Sequence, residues 1–593
     1  MATEHPSNAR DTDDLSVTPG PPQQTPGTKT AGRRAAGARD DGQWAVSGRA
    51  PLNANEEWKA REGGLAVRER VISTYAREGF AGIPAEDLRG RMRWWGLYTQ
   101  RRPGIDGGRT GALEPAELDD EFFMMRVRID GGGVALGQLR VLADIATRYA
   151  RGTADITDRQ NVQFHWIRIE DVPAIWEALE GAGLTTVEAC GDTPRVVLGS
   201  PVAGIAKDEI IDGTPAIREI HERFIGDPEL ANQPRKFKTA VSGSPHHDVA
   251  HEIHDVAFVG VVHPEHGPGF DVWVGGGLST TPMIGQRLGA WVPREEVADV
   301  WHGVVQVFRD YGYRRLRNRA RLKYLVADWG AARFREVLEA QYLRRPLVDG
   351  PPPSPPPTGR RDHVGVHRQR DGRFYVGAAP VVGRVSGDAL TRLADAVERA
   401  GSTRIAFTPE QKVVVLDVPA PAVPDLLDDL DAAGLTARAS TFRRGTMACT
   451  GIEFCKLAIV ETKATAANLV TELERRFSDV PELFTGDSPV ISIHVNGCPN
   501  ACARTQVAGI GLKGIQLPNP IDPQGSTVEG FQVHLGGALR LNTGFGRKLR
   551  GLKVISAELP EYVERVVRHW LTQRNGGESF SDWVARADEA NLQ

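Results

Sequence analysis

Two stretches, RRGTMACTGIEFCKLAIVETK (443–463) and SIHVNGCPNACARTQ (492–506), contain four of the five cysteines of a 593-residue chain. Five residues separate the cysteines of the first pair, and three separate those of the second. In a chain with so few cysteines, two tight pairs indicate a metal site more than a disulfide framework. The four residues are Cys449, Cys455, Cys498 and Cys502.

The spacing of each pair also predicts local structure. Cys498 and Cys502 are four residues apart, so both side chains share one face if they open a helix, with Pro499 at its first position. We expect Cys455 to begin a helix over FCKLAIVETK (454–463). Four thiolates on two helix-entry loops suit a 4Fe–4S cluster. Zinc stays an alternative, although a gap of five residues exceeds the usual zinc spacing, and disulfides would need an oxidising compartment.

The composition is that of an ordinary globular enzyme, with 40% hydrophobic and 25% charged residues. A net charge of −4 argues against a general nucleic-acid binder, which carries a basic excess. No apolar run is long enough to span a membrane, and the polar N-terminus does not have the form of a secretory signal. The small number of cysteines favours a reducing compartment, and we expect a cytoplasmic protein.

The chain contains an internal repeat. LAD begins at Leu142 and again at Leu393, and TDRQNV begins at Thr157 where TPEQKV begins at Thr408; both pairs are 251 residues apart. Ungapped matches at one offset are the signature of a duplicated unit. Each unit is predicted to run strand, helix, strand, helix, as in a βαβ-type α+β module.

A second module follows in each copy. VSGSPHHD (241–248) matches VNGCPNAC (495–502) at an offset of 254. In the first copy, Ser244 and Asp248 stand where the second copy has the cysteines of its second pair. We infer that one ancestral unit was duplicated and that only the C-terminal copy has the thiolates.

The motifs ACTGIEFC and NGCPNAC resemble those of the sulfite/nitrite reductase family, and the chain looks most similar to ferredoxin-dependent sulfite reductases. Other segments also look like that family, in the family's order: RWWGLYTQR (93–101), FFMMRVRI (122–129), DITDRQNVQFHW (155–166), ACGDTPRVVLGSP (189–201) and PRKFKTAVSG (234–243). Members of the family hold a 4Fe–4S cluster beside a sirohaem, and their fold has a pseudo-twofold duplication. The resemblance extends over almost all of the chain after its N-terminal tail.

The resemblance implies an α+β fold with a pseudo-twofold duplicated architecture. Each half would combine a ferredoxin-like α/β module with an α+β domain of the sirohaem and iron–sulfur type. DGPPPSPPPTGRR (349–361) is too stiff and extended to join a helix, so it marks the boundary between the halves. The predicted units are a disordered tail (1–54), a ferredoxin-like half-domain (55–188), a first sirohaem/iron–sulfur-type domain without cluster ligands (189–345), a linker (346–361), a second half-domain (362–440) and a cluster-bearing domain (441–593).

The resemblance assigns a role to every cysteine of the two pairs. All four would ligate the cluster, and the last of them, Cys502, would also bridge to the sirohaem iron. A shared thiolate would couple the electron store directly to the metal that binds the substrate. The cofactor supplies the electrons in such a site, while the protein supplies position and charge.

The resemblance also implies a substrate site of two arginines and two lysines on the open face of the sirohaem: Arg126, Arg195, Lys236 and Lys238. Sulfite is a dianion whose reduction consumes six electrons and seven protons, so its site needs cations that can also donate protons. Alternation along KFK would put both lysines on one side of a strand, where burial depresses their pKa values. At the 251 offset Arg126 maps to Gly377, so this charge exists in one copy only.

The eight carboxylates of a sirohaem need basic and hydrogen-bonding partners. The candidates are Arg159, Asn161, Gln163, His165, Arg319, Arg321 and Lys323. Alternation in TDRQNVQFHW would place the first four on one strand face. The last three belong to RRLRNRARLK (314–323), which could instead be an exposed face that meets an acidic electron donor. His165 taken alone is more often a structural histidine.

Cys190 is the fifth cysteine, and a buried, inert thiol is its ordinary interpretation. It lies five residues before Arg195, so a place in the substrate pocket is a second interpretation. There it would pack against an aromatic side chain such as Tyr98, to which it could become joined oxidatively.

The second lysine of PRKFK bears on the substrate. Sulfite enzymes of the family tend to have Lys-x-Lys, whereas plant-type nitrite enzymes tend to have asparagine at the second position. The extra positive charge also suits a dianion better than nitrite. We therefore predict sulfite as the main substrate, with ferredoxin-dependent nitrite reduction as the alternative.

The electron donor is predicted to be another protein. No G-x-G-x-x-G fingerprint opens a βαβ unit, so a nicotinamide or flavin module is not indicated. Electrons should come from reduced ferredoxin in a weak, salt-sensitive complex. We expect a monomer, because the symmetric interface is already within the chain. More distant alternatives are a relative in corrin biosynthesis, against which the four substrate cations count, and a zinc or iron–sulfur scaffold or redox sensor without sirohaem.

Overall fold

The residues described by the computed structural model are 52–357, 362–522, 525–540 and 544–593. The predicted tail therefore lies outside the described residues except at 52–54, and so does the end of the predicted linker, 358–361. The α-helices of the described part are Ala54–Arg61, Val67–Arg70, Ala76–Glu78, Ala85–Arg89, Pro115–Leu118, Leu136–Tyr149, Val172–Gly181, Thr214–Phe224, Val297–Tyr311, Leu322–Val337, Gly387–Arg399, Val423–Ala432, Thr441–Gly445, Lys463–Arg476, Leu559–Gln573 and Phe580–Arg586. None of them has the length and apolar character that crossing a membrane requires.

Two five-stranded sheets, antiparallel throughout, form the half-domains. The strand order of the first sheet is Leu97–Arg101, Asp119–Val127, Val162–Ile167, Thr153–Ile156 and Arg384–Ser386. The strand order of the second sheet is Gly365–Arg368, Phe374–Ala378, Val413–Val418, Arg404–Phe407 and Gly133–Ala135.

Each half-domain sheet is completed by a strand from the other half. Gly133–Ala135 pairs with Arg404–Phe407, and Arg384–Ser386 pairs with Thr153–Ile156. The two exchanged strands are 251 residues apart, which is the offset of the sequence repeat. An edge strand that gains a neighbour satisfies N–H and C=O groups that would otherwise stay exposed. Neither half-domain sheet is therefore complete without the other.

The helices that follow the exchanged strands share one hydrophobic core. They are Leu136–Tyr149 and Gly387–Arg399, and each has one apolar face. Leu142 and Leu393, which begin the two LAD repeats, are fully buried in this core. The repeat in the sequence thus reflects equivalent packing in the two halves, and the predicted duplication is confirmed.

The order of elements within a half-domain differs from the prediction. Thr153–Ile156 and Val162–Ile167 form an antiparallel hairpin between two helices, where a single strand was expected. TDRQN forms the turn of this hairpin, because the Thr157 hydroxyl accepts two backbone N–H groups and Gln160 has a left-handed φ of 58°. The half-domain is therefore an antiparallel α+β module rather than a parallel βαβ unit.

Two larger mixed sheets form the second modules. The order of the first is Val348–Asp349, Gln286–Val292, Gly267–Val274, Val256–His263, Phe237–Ser242 and Pro194–Gly199. The order of the second is Thr446–Ala448, Ile493–Asn496, Ile510–Pro518, Thr527–Leu535 and Arg547–Ile555. In both sheets the first three strands along the chain are parallel neighbours, and the later ones are antiparallel.

The backbone repeats in detail between these two sheets. His247 and Ala501 both have left-handed φ values, as do Ala250 and Arg504, and each pair is 254 residues apart. Non-glycine residues adopt this conformation rarely. The loop of the first module therefore has the same course as the cysteine loop of the second, as the match of their sequences predicts.

We expect Gly377→Ala to lower the free energy of unfolding strongly. A Cβ at Gly377 would lie 1.7 Å from the carbonyl oxygen of His363, and overpacking of this kind costs about 1–3 kcal/mol or more. The matched control is Gly133→Ala in an exchanged strand, where no heavy atom lies within 4 Å of the added Cβ. Denaturant unfolding followed by circular dichroism should show a lower midpoint for the first variant only. Equal midpoints for the two variants would contradict the predicted collision between a side chain at Gly377 and the His363 carbonyl oxygen.

Candidate active site

The two cysteine loops begin at the same edge of one sheet. Cys449 follows the strand Thr446–Ala448, and Cys498 follows the neighbouring parallel strand Ile493–Asn496 after one residue. The Cys449 N–H donates to the Val495 carbonyl oxygen at 3.1 Å. Because carboxyl ends of parallel strands meet at one edge, the loops that follow them lie together, as ligand-binding loops of such sheets commonly do.

Neither cysteine pair opens a helix, so both local predictions are wrong. Cys498 and Cys502 lie in successive turns, and the left-handed φ of Ala501 (53°) prevents a helix between them. The helix expected from Cys455 begins only at Lys463. The intervening backbone bonds to the other loop instead of to itself: the N–H of residue 459 donates to the carbonyl oxygen of residue 497 at 2.9 Å.

The loops direct backbone N–H groups at the sulfur atoms. The Gly497 N–H donates to Cys449 Sγ at 3.2 Å. Burial raises the pKa of Cys455, and the nearby backbone N–H groups of Leu457 and Ala458 offset part of that rise. Hydrogen bonds of this type stabilise thiolates and tune the potential of iron–sulfur clusters.

The thiols also act on one another. Burial, and then the charge of Cys502, raises the pKa of Cys449 to about 12, and the same two causes raise the pKa of Cys498. Neighbouring thiolates need a cationic group between them to offset their charge. Yet in the described part of the chain no three Cys, His, Asp or Glu side chains converge as ligands of one metal ion. The choice of a cluster over zinc therefore stays a prediction at this point.

Two of the four predicted substrate cations, Arg126 and Lys236, lie close enough to Cys502 to interact with it electrostatically. Arg126 is on a half-domain strand, and Arg195, Lys236 and Lys238 lie on or just before two neighbouring parallel strands of the first larger sheet. Burial lowers the pKa of both Arg126 and Lys236. Cys502 lies close enough to offset part of that fall at each of them, and Arg195 adds to the fall at Lys236. These groups are therefore close enough to interact electrostatically across the two modules.

The pocket holds an excess of positive charge. Burial, and then Arg321, lowers the pKa of Lys236 to about 7. Burial, followed by the charges of Arg159 and Lys236, holds the pKa of Lys238 well below its ordinary range. Burial lowers a lysine pKa, and neighbouring cations lower it further unless carboxylates compensate. An anion would therefore be stabilised in this pocket.

Three buried polar atoms of this region have no hydrogen-bond partner among the described residues: Arg126 Nε, Arg159 Nε and Asn161 Oδ1. Buried polar atoms are normally satisfied, and each one left alone costs about 1–3 kcal/mol. Two of the three are guanidinium donors. They fit a bound group rich in carboxylates, such as the sirohaem that the resemblance implies.

Arg159 is held by a residue that the sequence did not suggest. Its guanidinium donates to the Val196 carbonyl oxygen and to His254 Nε2, the latter at 3.1 Å. His254 Nδ1 donates to the Ala250 carbonyl oxygen at 2.8 Å, which leaves Nε2 as an acceptor. Burial, and then Arg159, holds the pKa of His254 well below its ordinary value, so the ring is neutral. His254 therefore orients Arg159.

Gln163 and His165 contact the loop between Cys449 and Cys455. Gln163 accepts a hydrogen bond from Arg126 and donates to Thr450 Oγ1 at 3.3 Å. His165 stacks on Phe454 with a centroid distance of 3.8 Å. The other two candidates of this motif lie in the turn before the strand, so the expected alternation over four strand positions is wrong. Gln163 and His165 thus tie the half-domain to the loop between the first two cysteines.

The basic run 314–323 is engaged inside the protein. Arg321 forms an ion pair with Asp255 at 2.8 Å. Lys323 Nζ donates to three backbone carbonyl oxygens. Arg319 lies over the ring of Tyr324 at 5.7 Å. These contacts favour a place beside the pocket over an exposed basic face.

Tyr98 and Cys190 both lie beside Arg126. Burial lowers the pKa of Arg126. Charges nearby, of which those of Cys190 and Tyr98 have the largest effect, outweigh burial and raise this pKa above its ordinary value. Cys190 is fully buried, and Tyr98 is half-buried. Both therefore border the predicted substrate pocket, and a covalent bond between them stays a prediction.

Sequence reasoning missed two further arginines. Arg504 comes two residues after Cys502 and donates to the carbonyl oxygens of Asp158 and Pro409, both at 2.8 Å. Arg504 thereby ties the loop of Cys498 and Cys502 to both half-domains. Burial, and then Arg317, lowers the pKa of Arg235 to about 10. Its place in PRKFK, next to two chosen lysines, was the signal that could have identified it.

A second cavity, of about 760 Å³, lies in the C-terminal module. Three positions of its lining correspond to cations of the first copy. Glu410 corresponds to Arg159 at the offset of 251, and Val490 and Ser492 correspond to Lys236 and Lys238 at the offset of 254. Carboxylates outnumber arginines in this lining. The duplicated cavity therefore lacks the positive charge that these three positions have in the first copy.

Comparison with protein families finds both modules twice. The nitrite and sulphite reductase 4Fe-4S domain matches residues 190–347 and 439–593. The nitrite/sulfite reductase ferredoxin-like half domain matches residues 116–182 and 367–433. The two half-domain matches are 251 residues apart, in agreement with the repeat.

Curated relatives and a solved structure are similar over nearly the whole chain. "Sulfite reductase [ferredoxin]" of Mycobacterium tuberculosis (strain ATCC 25618 / H37Rv) is 58% identical over 94% of this chain and 99% of that protein. "Ferredoxin--nitrite reductase" of Synechococcus elongatus is 34% identical over 89% of this chain and 98% of that protein. A structure titled "Structure of Mycobacterium tuberculosis NirA protein" has 57% identity and a TM-score of 0.90, and it covers 93% of this chain and 100% of its own.

We expect Cys498→Ser to lose the iron of the purified protein. Removal of one of four ligands leaves an iron of the cluster without its thiolate. Cys190→Ser is the matched control, because Cys190 is buried outside the two cysteine loops. Iron and acid-labile sulfide assays should show a loss for the first variant and wild-type content for the second. Full iron content in Cys498→Ser would contradict the assigned ligand set.

Proposed function

Because the chain belongs to the nitrite and sulphite reductase family, we propose that it reduces sulfite to sulfide with electrons from reduced ferredoxin. The observation that carries the proposal is that Cys502 lies close enough to the half-buried cations Arg126 and Lys236 to interact with them electrostatically. A thiolate ligand and cations that bind an oxyanion thereby share one pocket. Names of relatives that act on sulfite with ferredoxin support the same assignment.

The donor set suits both cofactors of the family. Cys449, Cys455, Cys498 and Cys502 would hold a 4Fe–4S cluster, and the unsatisfied guanidinium groups of the pocket would face the carboxylates of a sirohaem. Bound together, these groups would store electrons and deliver them to the oxyanion. Every other contribution comes from the protein, which positions the anion and supplies protons.

The cations divide the work between binding and proton donation. Arg195 is held rigidly, since its guanidinium donates to the carbonyl oxygens of Gly191 at 2.7 Å and of Ala189 at 3.2 Å. Arginine stays charged at all relevant pH values, so Arg126 and Arg195 would bind the anion electrostatically. Lys236, with a pKa of about 7, can give up its proton near neutral pH.

Sulfite is favoured over nitrite by charge. Lys236 and Lys238 place two ammonium groups in a pocket that already has two arginines, and a dianion gains more from them than a monoanion does. The half-domain exchange already places the symmetric interface inside the chain, so we also propose a monomer.

Steady-state kinetics test this assignment. With reduced methyl viologen as donor, kcat/KM should be higher for sulfite than for nitrite. Lys238→Asn should lower the ratio of the two values by about tenfold, because one positive charge is removed. The absorption spectrum of the same sample should show Soret and long-wavelength bands of a sirohaem. A higher value for nitrite would establish the alternative substrate, and a colourless protein that contains zinc would overturn the proposal.

The pH dependence should report the protonation of Lys236. Its lowered pKa means that the cation is present below about pH 7 and is lost as the pH rises through that value. Lys236→Arg keeps the charge at all pH values tested, and the ionisation of sulfite is common to both enzymes. The ratio of kcat/KM for wild type to that for Lys236→Arg should therefore fall with rising pH. A ratio that is independent of pH would exclude Lys236 as the titrating donor.

A further inference from the structure

A buried lysine lies close to the first of the four cysteines. Lys463 is 3% exposed and begins the helix Lys463–Arg476. The preceding residue, Thr462, donates from its hydroxyl to the Cys449 carbonyl oxygen at 2.7 Å, and the same Oγ1 lies 3.8 Å from Cys449 Sγ. Burial lowers the pKa of Lys463, and the charges of Asp155 and of Cys449 counter that fall. The Lys463 side chain is thus within electrostatic reach of a predicted cluster ligand.

The two half-domains hold the amino group of Lys463 in place. Nζ donates to the Val382 carbonyl oxygen and lies 3.7 Å from Asp155 Oδ1. Asp155 is on the strand Thr153–Ile156 of the first half-domain, and Val382 comes shortly before the exchanged strand Arg384–Ser386. Val382 has a left-handed φ of 49°, which a β-branched residue adopts rarely. Conformations of this kind persist where the surrounding contacts fix them.

Asp155 is a buried carboxylate that stays ionised. Burial raises its pKa, but the charge of Lys463, a hydrogen bond from His165 and the charge of Arg384 outweigh burial and hold the pKa well below its ordinary range. Arg384 Nε donates to Asp155 Oδ1 at 3.0 Å. Burial lowers the pKa of His165, so this ring adds no charge. A buried carboxylate needs cations beside it, so Lys463 faces Asp155 as an ammonium group.

Two other carboxylates lie near this ion pair, and both are compensated. Glu453 is exposed, so water screens its charge, and it forms an ion pair with Arg384 at 2.7 Å. The carboxylate of Glu461 accepts the backbone N–H groups of Thr462 at 2.9 Å and Ala464 at 3.2 Å. The positive end of the helix that begins there offsets the charge of Glu461. Lys463 is therefore a positive charge near Cys449 that solvent does not screen.

A fixed positive charge beside an iron–sulfur cluster favours its reduced state, because the added electron is attracted to that charge. The attraction is strong where little water is present. The reduction potentials of such clusters depend on net charge, on hydrogen bonds to sulfur and on solvent exposure. A buried ammonium group near Cys449 would therefore make the cluster easier to reduce.

We propose that Lys463, held by Asp155 and Val382, raises the reduction potential of the 4Fe–4S cluster and thereby eases the entry of electrons. The inference rests on the proposed function, since it requires a cluster on the four cysteines. Lys463 acts through its charge alone and takes no part in binding the substrate. Asp155 both holds this charge and partly offsets it, so the two residues should shift the potential in opposite directions.

Removal of the charge tests the proposal. Lys463→Met should shift the midpoint of the cluster to more negative values by about 59 mV, which corresponds to a tenfold change in a one-electron equilibrium. Lys463→Arg is the matched control, because it keeps the positive charge, and its midpoint should stay near that of the wild type. The measurement is a redox titration of the purified protein followed by electron paramagnetic resonance. Iron and acid-labile sulfide assays should show the same cluster content in all samples.

Asp155→Asn separates charge from structure. It breaks the same ion pair as Lys463→Met but removes a negative charge, so the midpoint should shift to less negative values. The double variant Lys463→Met/Asp155→Asn should return close to the wild-type midpoint. A merely structural role of the pair would give both single variants the same sign of shift, and the double variant would not recover.

A variant at a more exposed position covers the case in which Lys463→Met does not accumulate. The Arg384 side chain is 29% exposed. Arg384→Gln should shift the midpoint to more negative values by a smaller amount, because water screens part of this charge. A midpoint unchanged in Arg384→Gln and in Asp155→Asn would then overturn the proposal.

The outcomes separate this inference from the proposed function. Wild-type midpoints in Lys463→Met and Asp155→Asn, or shifts of the same sign in both, would overturn the role of Lys463 and leave the proposed function intact. Absence of iron and acid-labile sulfide from the purified wild type would overturn the cluster and, with it, the proposed function. A wild type that has the cluster but does not reduce sulfite would overturn the proposed function alone, because the potentials could still be measured.

Discussion

The arrangement on which this structure depends is the approach of the four cysteines of the last module to a set of lysines and arginines from the first half of the chain. Burial and then a neighbouring thiol raise the pKa of Cys449, and burial and then neighbouring cations lower the pKa values of Lys236 and Lys238. Neither group would be stable alone in a medium of low dielectric constant. Cys502 belongs to the first group and acts electrostatically on the second. On the proposed function, the site is one charge-balanced assembly, in which the anionic cofactors and substrate would complete the cationic side.

The scaffold brings these groups together from distant parts of the chain. The thiols come from the last module, and the cations come from the first half-domain and the module that follows it. Arg504 binds the loop of Cys498 and Cys502 to both half-domains, and Gln163 links Arg126 to the loop of Cys449 and Cys455. The exchange of edge strands makes the two half-domains a single body. Rigid elements of this kind hold catalytic groups more precisely than loops alone can.

The sequence predicted what depends on local pattern and on repetition. The LAD triplets, the 251 offset and the two cysteine pairs are visible without any structure, and they led to the duplicated architecture and to the candidate ligands. The helices expected at Cys455 and Cys498 were wrong, because backbone groups of each loop bond to the other loop. His254 was missed for a related reason: it lies 95 residues from Arg159, and no spacing pattern connects them. Long-range contacts that override local preference are the part of a site that one sequence does not reveal.

On the proposed function, the differences between the two copies account for a single active site at only one of two equivalent positions. In the second site Gly377 replaces Arg126, and Asp248 replaces Cys502. His363 contacts both replacements: its carbonyl oxygen occupies the space that a side chain at Gly377 would need, and its Nε2 lies 3.2 Å from Asp248. Asp248 is held further by two serine hydroxyls. A new cation at position 377 would therefore be excluded by backbone, and a ligand at position 248 would lose a buried hydrogen-bond network. The second site thus differs from the first by packing at these two positions as well as by charge, and for this reason a single substitution would not convert it into a copy of the first.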